Sequence, residues 1–326
     1  MAGKGDGRPV VGVDLGGTKI MAGVVAADHK ILGRGKRPTP AKEGGPAILK
    51  TMVETVEDAL RQAGLTRKDV AAAAIGSPGP LDVETGVILH SANLNVKNFP
   101  IGPGLAEELG VPVRVGNDVR VGGYGEFVLG AGRGHADVLA AFVGTGIGGC
   151  IVINGKILTG ATDNAGEIGH VVVKVGGPRC GCGNNGCMEA YASKTAIANR
   201  ILKASKKKHN SLVEKIQRKG RLKSGDLAQA VDEKDPIAMR EVDRAAYYLG
   251  VGLGGLVNVL GPQVVVIGGG VAHALGRPYL DKVEASARVQ IITDPKKLIK
   301  FVPAALGDDA GVLGASLYAR EMIARG

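Results

Sequence analysis

The 326-residue chain contains no Trp and only four Phe and six Tyr. Aromatic platforms on which nucleobases stack are therefore scarce, which argues against a nucleic-acid binder. Apolar runs are broken by Gly or a charge well before the roughly 20 residues that span a bilayer. The segment from Met1 to Pro9 is polar and Gly-rich and has no apolar core of a signal peptide. No Gly-Lys-Ser/Thr run stands at Walker spacing. Cysteine is sparse too, at four residues, which suits a reducing compartment and a metal better than a disulfide framework. A cytoplasmic protein is the expectation.

Glycine, by contrast, is abundant at 53 residues, and 44% of the chain is hydrophobic. That composition points to a compact α/β protein with many tight turns, long enough for two domains. Net charge is +10, with much of the excess between Lys203 and Lys223, including Lys206, Lys207 and Lys208. A solvated helix-and-loop surface explains that run more simply than a polyanion patch.

Buried strands are expected over 10–13, 20–26, 31–36, 70–75 and 111–115, with helices over 46–63, 105–109 and 119–129. A second round follows: strands over 138–143 and 150–153, helices around 188–203 and 236–259, a strand over 264–267 and a last helix over 309–324. The order strand, glycine turn, strand, strand, helix, strand occurs twice. That predicts an internal duplication at domain scale.

Each round has a glycine turn between strands, at Asp14-Leu15-Gly16-Gly17-Thr18-Lys19 and at Gly144-Thr145-Gly146-Ile147-Gly148-Gly149. Glycine lets backbone N–H groups approach phosphate oxygens; Thr18 and Thr145 add hydroxyls, and Lys19 adds charge. One such turn could be an ordinary hairpin, but two at matching places favour phosphate binding. Gly268, Gly269 and Gly270 follow a buried strand at the usual ligand end of a sheet and suit an adenosine moiety. Asn117-Asp118 ends another strand. The pair reads equally well as a helix N-cap or as a carboxylate base with an orienting amide.

Cys180, Cys182 and Cys187 follow His170 within 17 residues, separated by Gly181, Gly183 and Gly186. Three thiolates and an imidazole form a closed tetrahedral set for zinc. A disulfide would leave an odd thiol. Glu167 and Glu189 bracket the set, so a metal there would gather two carboxylates and an imidazole, a combination that suits a polyol.

Together these motifs resemble the ROK family of sugar kinases, repressors and open reading frames, within the hexokinase/actin-like ATPase superfamily. The resemblance runs from Val10 to the C-terminal helix and includes Gly76 to Pro80 as well as the motifs above. It implies two ribonuclease H-like domains, each a mixed sheet flanked by helices, with an interdomain cleft. The small domain would comprise 1–118 plus 309–326, and the large domain 119–308 with the zinc loop 170–187. Asp118 would be the general base that takes the proton from a sugar 6-hydroxyl as it attacks the γ-phosphate of ATP. Asn93, Asn117, Glu167, His170 and Glu189 would contact the sugar. His170 would use one ring nitrogen for zinc and the other for a hydroxyl. Asp14, Gly16, Gly17, Thr18, Lys19, Gly144, Thr145, Gly146 and Gly268 to Gly270 would hold the nucleotide with Mg²⁺.

Glucose is the expected acceptor, because Gly76 to Asp82, Ser91 to Leu94 and the Glu-x-Gly-His set are most similar to ROK glucokinases. An N-acylhexosamine (ManNAc or GlcNAc) kinase, a fructokinase or another hexokinase are the alternatives, with polyphosphate as a lesser donor. A ROK repressor would need a helix-turn-helix domain, and only 13 residues precede Asp14. The expected partners are a hexose and ATP, with no nucleic acid and no membrane, in a homodimer or homotetramer.

Overall fold

The computed structural model describes residues 7–204, 211–294 and 297–325. They form two compact units: one up to Leu129, with Gly160–Asn164 and the chain from Asp308, and a second of Gly130–Thr159 and Ala165–Gly307.

In the first unit, β1 (Val10–Leu15), β2 (Lys19–Val25) and β3 (Ile31–Pro38) form an antiparallel meander. Helix α1 (Gly45–Ala63) stops at Gly64, whose φ of 69° is the left-handed cap that glycine tolerates best. Next, β4 (Ala73–Ser77) pairs with β1 in parallel. Three short strands, β5 (Leu81–Asp82), β6 (Val87–Ser91) and β7 (Val96–Phe99), make a separate antiparallel sheet that the sequence pattern does not announce. Then come α2 (Ile101–Leu109), β8 (Val113–Asn117), which is parallel to β4, and α3 (Asp118–Val128). Strands β4 and β8 end two residues later than expected, because their ladder continues to Ser77 opposite Asn117. Val11, Val13, Ile20, Met52, Val56 and Ile75 lie in this unit's core.

The second unit opens with β9 (Val138–Val143), β10 (Ile147–Ile153) and β11 (Lys156–Ile157). Helices α4 (Met188–Ala192), α5 (Lys194–Ala204), α6 (Ser211–Lys219), α7 (Ser224–Asp232) and α8 (Pro236–Leu260) follow. Asp235 caps α8 by accepting from the Ile237 and Ala238 amides, each at 2.8 Å, and Pro236 stands at its first position. Then β12 (Val264–Gly268), α9 (Gly269–Gln290) and β13 (Lys300–Pro303) complete the unit. Lys206, Lys207 and Lys208 lie outside the described residues; beyond them, α6 buries Leu212 and Ile216 and leaves its basic side outward. The last helix, α10 (Ala310–Arg325), packs on β1 and α3 in the first unit. With it, α3 belongs to the first unit, which therefore runs past residue 118 to Leu129.

The two five-stranded sheets have orders β3-β2-β1-β4-β8 and β11-β10-β9-β12-β13. In both, the two successive pairings on one side of the central strand are antiparallel and the two on the other side are parallel. The duplication expected from the sequence is thus present strand for strand, and the α/β class with mixed sheets flanked by helices holds. Among the described residues, no helix is long and apolar enough to cross a membrane.

Candidate active site and metal centre

In the first unit, the ladders align Asp14 with Gly76 and Gly76 with Gly116, so Asp14, Ser77 and Asn117-Asp118 gather at the C-terminal ends of three parallel strands. Open α/β sheets bind ligands at that end. The turn after β1 is closed by the Gly16 N–H donating to the Lys19 carbonyl at 2.9 Å. Thr39, which carries no motif signal, donates its hydroxyl to the Gly16 carbonyl at 2.6 Å. Asn93 backs the same turn: a Cβ added to Gly17 would lie 3.6 Å from the Asn93 Cβ.

Burial pushes the Asp14 carboxyl up to about 6, against the opposing pull of Lys19 and helped by Asp308. Lys19 pairs with Asp308 at 2.9 Å, so its ammonium already stands beside the first glycine turn. Asn117 is the N-cap of α3 and accepts from the Arg120 amide at 3.0 Å. Its amide nitrogen takes no part in that cap, so the cap and a role toward a ligand are compatible. Asp118 is the first residue of α3, and its Oδ1 accepts from the Val119 amide at 2.9 Å.

In the second unit, the Gly144 N–H donates to the Gly146 carbonyl at 2.9 Å and closes the matching turn. Gly268 lies opposite Phe142 in the parallel ladder, so the third glycine set starts beside that turn. Gly269 has φ 86°, and a Cβ there would come within 2.7 Å of three Val143 backbone atoms; only glycine fits. The N-terminus of α5 supports the turn from behind. Lys194 N–H donates to the Gly144 carbonyl at 2.9 Å, and the Thr195 hydroxyl to the Thr145 carbonyl at 2.8 Å. Sequence reasoning missed both residues, since a helix start carries no sign of what it abuts.

His170, Cys180, Cys182 and Cys187 each offer a ligand atom, and all four atoms lie within 4.8 Å of one another. All four cysteines are free thiols, and the Cys182 and Cys187 sulfurs are 3.7 Å apart, far beyond a disulfide. That separation matches the edge of about 3.8 Å that a tetrahedron with Zn–S bonds of about 2.3 Å requires. The Cys180 sulfur is 3.7 Å from His170 Nδ1, while Nε2 is 3.8 Å from a Glu167 carboxylate oxygen. The imidazole thus turns one nitrogen to the thiols and the other away from them. Without a cation, burial pushes the Cys180 thiol up to about 12. The donor set therefore fits a divalent metal such as zinc.

Glu189 holds a position that its spacing did not predict. One oxygen accepts from the Ile147 amide at 2.8 Å and the other is 3.7 Å from the Cys180 sulfur. It thereby joins the metal cluster to the second glycine turn.

Comparison with known proteins agrees with this arrangement. The model of the ROK family matches residues 10–322. A glucokinase of Halalkalibacterium halodurans is 36% identical over 319 residues, 96% of each chain. The crystal structure of a ROK hexokinase from Thermus thermophilus is similar with a TM-score of 0.82 and 37% identity, covering 98% of this chain and all of that one. A ROK family glucokinase from Streptomyces griseus, solved in complex with glucose and AMPPNP, is similar with a TM-score of 0.81 and 32% identity, covering 96% and 99%. The fold is that of the ROK sugar kinases, of actin-like ATPase type. Two like-ordered sheets with glycine turns, a Cys₃His cluster and a family match over nearly the whole length agree: the chain belongs to the ROK family.

Proposed function

We propose that this chain is a glucokinase that transfers the γ-phosphate of ATP to the 6-hydroxyl of glucose. The observation that carries the reading furthest is the gathering of Asp14, Ser77, Asn117 and Asp118 at the C-terminal ends of β1, β4 and β8. The names of the relatives supply the sugar and the donor.

In the first unit, Asp118 would accept the 6-hydroxyl proton as that oxygen attacks phosphorus, and Asn93 and Asn117 would hold sugar hydroxyls. The Gly16–Lys19 turn, opened by Asp14, would hold phosphate oxygens with Mg²⁺. In the second unit, Glu167, His170 and Glu189 would bind sugar hydroxyls. Gly144 to Gly146 would hold phosphate, and Gly268 to Gly270 the adenosine. Phosphoryl transfer is governed by positioning and charge neutralisation, so this short inventory suffices.

Zinc would be held by His170, Cys180, Cys182 and Cys187. Its contribution would be structural: it would fix the ring and tautomer of His170, whose Nε2 then points to the sugar, and the loop that carries Glu189. The protein would work in the cytoplasm as a homodimer or homotetramer. A coupled ADP-release assay over a panel of hexoses, with ATP and polyphosphate as donors, tests the reading. Glucose with ATP should give the highest kcat/KM. An N-acylhexosamine or fructose ahead of glucose would overturn the substrate, and polyphosphate ahead of ATP would overturn the donor.

A further inference from the structure

Arg120 is buried, with 6% of its surface exposed, two residues after Asp118 on α3. Burying a guanidinium costs free energy unless hydrogen-bonded partners compensate. Its Nη2 donates to the Asp163 carbonyl oxygen, and its Nη1 lies 3.6 Å from the Asp163 carboxylate. One guanidinium therefore meets both the main chain of a single residue, by a hydrogen bond, and its side chain, by an ion pair.

Asp163 sits on an unusual piece of chain. Residues Gly160–Asn164 belong to the first unit, while the chain on both sides belongs to the second. The excursion is pinched at its base, where the Ala165 N–H donates to the Thr159 carbonyl at 3.0 Å. Gly160 (φ 73°) and Gly166 (φ 95°) flank it, and Asp163 itself has φ 53°. A non-glycine residue in that region is held there by its surroundings. The Arg120 guanidinium is one of the contacts on it. The backbone N–H of Arg120 donates to the Oδ1 of Asn117, the N-cap of α3.

We propose that Arg120 is a positioning residue for phosphoryl transfer: through its main chain it fixes Asn117 beside Asp118, and through its guanidinium it anchors Asp163, four residues before Glu167. The clamp thus holds the Gly160–Asn164 excursion within its own unit, immediately ahead of Glu167 and His170 in the chain. This inference rests on the sugar-kinase reading above. Small displacements of reacting groups cost catalysis heavily, up to about 100-fold for about 1 Å.

The test uses the full-length enzyme and the variants Asp163→Ala, Arg120→Gln and their double. Asp163 is partly exposed, so Asp163→Ala should fold even if Arg120→Gln does not. Asp163→Ala should raise the glucose KM at least about fivefold and lower kcat, while the ATP KM stays within about twofold. Amide hydrogen exchange over 160–170 should accelerate in the same variant. Where Arg120→Gln folds, the double variant should be no worse than the poorer single, since the ion pair that Asp163→Ala removes is already lost in Arg120→Gln. Unchanged glucose KM and kcat in Asp163→Ala, an equal rise in both KM values, or additive losses in the double would overturn the proposal. If the wild type phosphorylates no hexose, the sugar-kinase reading fails instead. Exchange still judges the clamp in that case, and unaltered protection over 160–170 in Asp163→Ala would refute it.

Discussion

The turn after β1 is opened by an acid, Asp14, and closed by a cation, Lys19; its counterpart after β9 contains no charge of its own. The two turns stand at the same place in sheets of the same order. Around the first, the parallel strands β4 and β8 end in Ser77 and Asn117, and Asp118 follows as the first residue of α3. Around the second, support comes from outside the sheet: from α5, from Glu189 and from the cysteine loop behind it. A duplicated frame has thus been furnished twice. On the proposed reading, the first unit would carry the general base, and the second a Cys₃His metal site and a backbone cradle for phosphate.

The largest effect expected from that division belongs to the first unit. Asp118→Asn should lower turnover by about 10²–10⁴ with glucose still bound, as loss of a general base does. A steady-state assay with near wild-type turnover would remove Asp118 from the mechanism.

A change in the second unit should act differently. Metal analysis of the purified protein should show about one zinc per chain. Cys182→Ser should lose it, unfold at lower temperature and bind glucose at least about tenfold more weakly, because ligation and folding of the loop are coupled. A metal-free preparation with full activity and stability would contradict a structural zinc.

Discrimination among sugars should be smaller again. A buried polar group left without its hydroxyl costs roughly 1–3 kcal/mol, or about 5- to 150-fold in kcat/KM. Mannose and galactose should each fall behind glucose by at least one such step when specificity constants are compared side by side.

A last effect, on stability and not on activity, concerns Asp14 in the protein without nucleotide. Its carboxyl is raised from 3.8 to about 6, chiefly by burial. Near pH 3 both folded and unfolded chains hold the proton. Between about pH 4 and 6 the folded chain keeps a proton that the unfolded chain releases, so stability falls as pH rises through that window. Asp14→Asn should remove this decline, gaining at most about 3 kcal/mol over wild type between pH 4 and pH 7.5 in urea unfolding. Parallel profiles for the two proteins would show that Asp14 ionises normally.

Much of the frame is legible in the amino-acid order alone. Apolar runs of four to seven residues bounded by glycine, proline or polar residues place β1, β2, β9, β10 and β12, and the amphipathic spacing of Ile48, Met52, Val56 and Leu60 places α1. Other parts leave weak traces. Strands β5 to β7 are two to five residues long, too short for alternation to register. Helix α9 is obscured by its Gly-Gly start and by the non-helical Gly276 and Pro278 within it. Asn117 and Asp118 stand out because two polar residues end an apolar strand. The cysteines stand out by type and spacing. Arg120 and Asp163 do not, because a buried arginine and its distant partner look like two ordinary surface charges until the chain is folded. Glu189 is legible as a polar group near the metal loop, but its bond to the Ile147 amide is a product of tertiary structure.

The division of labour between the units is tested most directly by titration calorimetry of glucose into Asp118→Asn and Cys182→Ser, set beside their turnover. The account predicts that Asp118→Asn binds glucose within a few-fold of wild type while losing turnover, and that Cys182→Ser loses glucose affinity together with its zinc. Wild-type glucose affinity in zinc-free Cys182→Ser, or near wild-type turnover in Asp118→Asn, would contradict it.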